Sequence, residues 1–211
     1  MELDHLFIRV QADGPEGQAL RDFGLIEGSG NRHPGQGTAN RRFFFNNAFI
    51  ELLWIADAAE AGSEQTRPTM LHERLSDSTA SPFGVCFRPG AAEERAAFAT
   101  FDYAPAYLPP GMSIGIASDA PLSEPMWFFL ASAKAPAAWP PERRQPLQPH
   151  HGLTQISGIR LTATAPLSAA ALATGLHFIP ANEHLLEISF DNEKRGLTQD
   201  FRPHLPLIFK Y

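Results

Sequence analysis

The sequence predicts an α+β protein assembled from a repeated β-α-β-β-β order. Apolar runs of strand length show period-2 alternation. The helical stretches between them are few and short. The same order of elements can be traced more than once along the 211 residues, which points to duplicated modules. A chain of this length can bury a real core as one domain or as small units tightly joined.

Residues 3–10 (Leu-Asp-His-Leu-Phe-Ile-Arg-Val) make the first strand. Alternation puts Leu6, Ile8 and Val10 on a face that needs a helix against it, and His5, Phe7 and Arg9 on the other. The second face is apolar at its centre and polar at both ends, as a cavity lining would be. Asp13-Gly14-Pro15-Glu16 is a helix entry, and the helix runs to about Phe23, where Gly24 stops it. A second strand is expected over 25–30. Residues 38–46 and 48–56 read as a hairpin turning at Asn46-Asn47, its second strand lying beside strand 3–10.

The order recurs. Residues 81–88 are strand-like, 91–100 carry a strong helix pattern, and strands are expected over 101–108, 112–117 and 126–132. A helix around 68–75 stands between the two units. Residues 136–149 hold Pro136, Pro140, Pro141, Pro146 and Pro149, so neither a regular helix nor a central strand fits there. A strand at 155–164, an Ala-rich helix ended by Gly175, and strands at 176–179 and 184–190 make a third, shorter unit, to which the tail from Phe201 adds one edge strand. The expected division is 1–57 and 81–135 as the first two modules, 58–80 as a connector, 136–153 as a Pro-rich arm, and 154–211 as a βαββ module with its tail.

Composition narrows the function. Hydrophobic residues make up 44% and charged residues 19%, with a net charge of −6 and scattered basic residues, which argues against a nucleic-acid partner. The single cysteine, Cys86, rules out an intrachain disulfide framework and suits a reducing compartment. Met1 leads straight into a strand, and the richest apolar run, 126–131, is too short to span a bilayer. A cytoplasmic protein without a membrane partner is the expectation. There is no Gly-x-Ser-x-Gly elbow, phosphate loop or dinucleotide fingerprint, hence no nucleotide cofactor.

Three stretches carry the most specific signal: the opening Leu3-Asp4-His5, the loop Arg32-His33-Pro34-Gly35-Gln36-Gly37-Thr38-Ala39-Asn40, and the strand 48–55 with Glu51-Leu52 at its centre. In these, and in their order, the sequence resembles the glyoxalase-like branch of the vicinal oxygen chelate superfamily, most clearly over residues 1–57. The resemblance implies modules set side by side in a curved mixed sheet around a concave cavity, with short helices on the convex side. It also implies a small-molecule substrate, with a homodimer left open as the assembly. His5 and Glu51 match the superfamily's metal-ligand positions, implying a divalent cation (Zn, Ni, Mn or Fe) that holds two neighbouring substrate oxygens. Lyase, isomerase and dioxygenase chemistry would all be compatible. The alternative is a non-catalytic binding or sequestration protein, in which Phe7, Phe44 and Phe49 matter more than the ionisable pair.

Read from the residues alone, His5 could equally be a packed strand-end histidine, and Glu51 a buried acid satisfied by Arg9. By strand order the second unit offers only Gly84 and Phe128 opposite them. The third offers Gly158 and Glu187, so Glu187 is the candidate for a further ligand or a general base, against the plainer role of a salt-bridged acid. In the loop, Arg32 is a fork-shaped donor suited to an anion, and the two glycines allow unusual turns and expose N–H groups. Thr38 and Asn40 share one strand face. Arg9, Arg32, His33, Thr38 and Asn40, with Phe7, form the expected substrate rim. His150 and His151 point opposite ways on an extended chain and make a poor metal pair; Cys86 in an apolar strand is a packed thiol.

Overall fold

The computed structural model describes residues 1–91, 95–148, 153–163 and 166–211. The chain opens with β1 (Glu2–Arg9), α1 (Gly17–Asp22), β2 (Asn31–His33), β3 (Thr38–Phe44) and β4 (Phe49–Ile55). There follow α2 (Ala58–Ala61), α3 (Leu71–Ser76), β5 (Phe83–Arg88), β6 (Thr100–Tyr103), β7 (Ile114–Ala117) and β8 (Met126–Phe129). The last part holds β9 (Ile156–Ala163), α4 (Ala169–Ala173), β10 (His177–Pro180), β11 (Leu186–Phe190), β12 (Thr198–Asp200) and β13 (Leu207–Lys210).

Strands β1–β8 form one mixed, strongly curled half-barrel sheet in the order β2-β3-β4-β1-β5-β8-β7-β6. β1 lies in its middle, parallel to β4 (His5 beside Phe49, Phe7 beside Glu51) and antiparallel to β5. Strands β9–β13 form a second sheet, β10-β9-β11-β13-β12. Two modules were expected to share the curved sheet, with the choice among three units left open; the first two share it, and the strands after residue 153 make a sheet of their own.

Alternation decides what each face of the large sheet meets. Leu6 and Ile8 of β1, Ile50 and Leu52 of β4, Val85 and Phe87 of β5, and Trp127 and Phe129 of β8 all enter one core. Leu20 of α1 and Leu161, Leu186, Ile188, Phe190 and Phe209 of the small sheet close that core from the other side. Each such buried side chain stabilises the fold by about 1.5–3 kcal/mol relative to exposure. The opposite face gathers Phe7, Leu53, Cys86, Met126 and Phe128 into a second, smaller cluster with Leu71 and Leu75 of α3. The parity predicted for β1 is therefore the one observed.

α3 is locked over that second face by two arginines. Arg9 Nη1 donates to the carbonyls of Arg74, at 2.9 Å, and Asp77 at the helix C-terminus, where unpaired carbonyls favour a cation. Arg74 itself is buried and donates to the carbonyls of Glu124, Ala120 and Pro121; burial lowers its guanidinium to about 10.

Several element predictions need correction. No strand forms over 25–30. There Ile26 N–H and C=O are taken by the Gln148 side chain and Ser29 N–H by Gln145, while the strand that does pair falls later, at 31–33. Gly28 lies so close to the Phe44 ring that a Cβ would collide with it. The Pro-rich arm thus serves as the partner that segment 26–29 would otherwise need. The helix expected over 91–100 is not seen at residues 91 or 95–100, and 92–94, like His150 and His151, lie outside the described residues. The helix expected over 68–75 is broken at Met70, whose φ is 54°, into a 3-10 turn, Arg67–Thr69, and α3. In the tail, β13 sits inside its sheet, between β11 and β12, and not at its edge, because both prolines of the tail precede it.

Candidate functional site

A cavity of about 170 Å³ opens on the second face of the large sheet. Its floor is His5 and Phe7 of β1, Phe49, Glu51 and Leu53 of β4, and Arg42 of β3. Ile114 and Ile116 of β7, with Met126 and Phe128 of β8, form the far wall. Thr69 and Leu71 cover it from the α3 side, and His33, Gln36, Tyr107 and Leu108 close the loop side. Gly84 of β5 leaves the room that Phe7 occupies, since a Cβ there would lie within the Phe7 ring.

His5 and Glu51 come from adjacent parallel strands and face one another, Nε2 to Oε2 at 3.6 Å. Their side chains are only 12% and 8% exposed. Each is tied on its outer side. His5 Nδ1 donates to Asp4 Oδ2 at 2.7 Å, an arrangement that puts the ring proton on Nδ1 and turns Nε2 to the cavity. The His5 ring stacks on Phe49 at 4.5 Å and meets the edge of Phe128 at 5.3 Å. Glu51 Oε1 accepts a hydrogen bond from Asn40 Nδ2, which leaves Oε2 as the oxygen facing His5. Asp4 is steadied by Arg88, Nη1 to Oδ1 at 3.5 Å.

Of the other expected site residues, Phe7 and His33 line the cavity. Thr38 is buried behind it and bonds both His33 Nδ1 and Gln36 Nε2 at 2.8 Å. Burial pushes the His33 imidazole below its ordinary value, with the Glu51 charge acting the other way. Asn40 touches Glu51 and also accepts from Asn31 N–H at 2.6 Å. Two arginines lie elsewhere: Arg32 is exposed on β2, and Arg9 is the clamp on α3 described above. Glu187 does not line this cavity. It sits in the small sheet, 2.8 Å from Lys210 Nζ and 3.6 Å from Arg160 Nε, so it matches its plainer role as a salt-bridged acid. The glycines of the loop are also structural: Gly35 N–H donates to Glu60 at 2.8 Å, and the Gly37 carbonyl accepts from Ala56 and Asp57.

Sequence reasoning missed Arg42 and Tyr107. Arg42 has the same strand parity as Thr38 and Asn40, so extending that face by one step would have found it. Tyr107 falls in the strand expected over 101–108, but β6 ends at Tyr103 and Tyr107 lies in the loop that follows. Its ring packs against His33 at 4.9 Å, its hydroxyl donates to Gln36 Oε1 at 3.1 Å, and burial raises the phenol well above its usual value.

Residues 3–109 match the model of a glyoxalase-like domain, just over half of the 211-residue chain. The protein therefore belongs to the glyoxalase-like domain family. No curated protein sequence matches it. Among solved structures it is similar to a hypothetical protein from Staphylococcus aureus, with a TM-score of 0.59 and 9% identity, covering 98% of both chains. It also matches methylmalonyl-CoA epimerase in complex with methylmalonyl-CoA and NH4+, with a TM-score of 0.41 and 12% identity, over 64% of this chain and 97% of that one.

The residues present can be tested against the divalent cation that the resemblance implies. A catalytic transition-metal centre takes about three protein donors. His5 Nε2 and Glu51 Oε2 supply two. Among the described residues, the only three His, Cys, Asp or Glu side chains with donor atoms within 4.8 Å of one another are Asp4, His5 and Cys86. That spacing is close enough for one cation, but the existing bonds oppose it. Asp4 is committed to His5 and Arg88, and burial, together with the Asp4 and Glu51 charges, drives the Cys86 thiol well above its normal range. With Asp4 so engaged, His5 and Glu51 are the two donors that face one another, short of the roughly three protein donors of a catalytic centre.

Proposed function

We propose that this cavity is the active site of a small-molecule enzyme that moves a proton on a substrate with adjacent oxygens, as a lyase or isomerase does. One observation carries this reading: a carboxylate oxygen and an imidazole nitrogen converge at 3.6 Å inside a mainly apolar cavity, each held from behind. The gap exceeds a direct hydrogen bond, and a substrate group can bridge it. Glu51 Oε2 takes the proton from a carbon next to a carbonyl. The electron pair of that C–H bond moves to the carbonyl oxygen; His5, with its Nδ1–H kept on Asp4, takes up a second ring proton at Nε2 and gives that proton to the enolate oxygen. Returning the proton to carbon gives an isomer; loss of a neighbouring leaving group gives a lyase product. Apolar walls strengthen both interactions by excluding water.

The test is deuterium wash-in. A panel of compact carbonyl and hydroxy acids is incubated with the protein in D₂O and carbon-bound deuterium is read by mass spectrometry. The wild-type protein is expected to label at least one member at the carbon beside the oxygen-bearing group, and Glu51→Gln to label it roughly 10²–10⁴-fold more slowly while folding normally. Wash-in that survives the Glu51→Gln substitution would remove the carboxylate from the chemistry. The stacking of His5 on Phe49, together with the largely apolar walls, favours a second reading, binding without turnover. Tight binding of a panel member without any wash-in would select it.

A further inference from the structure

Proton transfer between His5, Glu51 and a substrate leaves one charge in the cavity without a task. Arg42 stands directly across the β3–β4 ladder from Glu51, where opposite charges ordinarily attract one another into a pair. Among the described residues no ion pair joins them; Glu51 turns to Asn40 and His5 instead. Arg42 is held on its other side. Its Nε donates to the Ser29 carbonyl at 2.8 Å and its Nη2 to Ser29 Oγ at 3.2 Å. The guanidinium carbon rests 5.2 Å from the centre of the Phe44 ring and 6.0 Å from that of Phe49. A cation is thus fixed in place beside the reacting pair. Burial acts against its charge, and the Glu51 carboxylate offsets this only in part.

We propose that Arg42 is the specificity residue of this site, binding the carboxylate of a compact acid whose apolar body, about one ring in size, fills the far end. This rests on the reading of the cavity as an active site. The size follows from the volume: about 170 Å³ is close to the roughly 150 Å³ of a cavity that holds benzene. The body follows from the walls, where Leu53, Ile114, Ile116, Met126 and Phe128 offer nothing but apolar surface. The head group follows from charge. Among the described residues Arg42 is the only Arg or Lys lining the cavity, and Glu51 is its cross-strand neighbour. A monoanion can be neutralised there, whereas a phosphate dianion would carry excess charge against the Glu51 carboxylate.

The test compares phenylacetate with phenylacetamide, the same shape without the charge, by calorimetric titration. Wild-type protein is expected to bind the acid about tenfold or more tightly than the amide. Arg42→Gln should lose that preference while binding the amide as before, and Arg42→Lys should recover part of it. Glu51→Gln should keep it, so a site that binds through Arg42 but fails in deuterium wash-in is told apart from one that fails in both. Equal affinity of the wild type for acid and amide, no measurable binding of either, or a preference that persists in Arg42→Gln would each overturn the proposal. The wild-type comparison and Arg42→Lys decide it should Arg42→Gln not fold.

Discussion

His5 is positioned by three neighbours. Asp4 accepts from its Nδ1, Phe49 sets the plane of the ring, and Glu51 faces its Nε2 at 3.6 Å. Other histidines answer to burial. His33, between Thr38 and Tyr107, and His184, near Phe83, are both held below the ordinary value of 6.5 by desolvation. The folded chain therefore keeps them neutral where the unfolded chain would bind protons. The stability they contribute is fully present above pH 6.5 and is lost as pH falls from there through their lowered values. Thermal melts between roughly pH 7.5 and 5 should show falling Tm, and His33→Gln, which can still bond Thr38, should flatten the slope. A slope unchanged in His33→Gln would show that the imidazole titrates alike in both states.

At the scale of elements, the site depends on one strand face being emptied for another's side chain. β5 alternates Phe83, Val85 and Phe87 into the core with Gly84 and Cys86 toward the cavity, and Gly84 is where Phe7 lies. Gly84→Ala should destabilise the fold by about 1–3 kcal/mol, because β1 and β5 are hydrogen-bonded across this position and cannot separate, so Phe7 must leave its rotamer. Denaturant unfolding measures this; a neutral result would mean that Phe7 has room to move.

The parity of these strands was legible because buried positions repeat every second residue; that rule brought His5 and Phe7 onto one face, and the family resemblance added Glu51 to them. What stayed hidden depends on contacts far apart in sequence. Segment 26–29 stands where the module order calls for a strand, yet its backbone groups are taken by Gln145 and Gln148 over a hundred residues later. Arg9 and Arg42 look alike as strand arginines; only the position of α3 makes one a helix clamp and the other a cavity charge. Glu187 matched the module order, but the strands that carry it belong to the second sheet.

At the scale of the whole molecule, the two faces of the large sheet differ in what they gather. On one face Phe45, Phe190 and Phe209 link the two sheets, with ring centres 4.8 Å apart at each step; on the other, the polar residues of the proposed site are held within apolar walls. Among the described residues, no helix is long and apolar enough to cross a membrane. The central claim is that His5 and Glu51 act as one unit within that second face. The most direct measurement is a double-mutant cycle on the deuterium wash-in rate, comparing wild type, His5→Gln, Glu51→Gln and the pair. Each single substitution is expected to cost about a hundredfold or more, and the double variant no more than the worse single, because groups that act on one transition state lose their effect together. Losses that multiply in the double variant, or a single variant that retains the full rate, would contradict it.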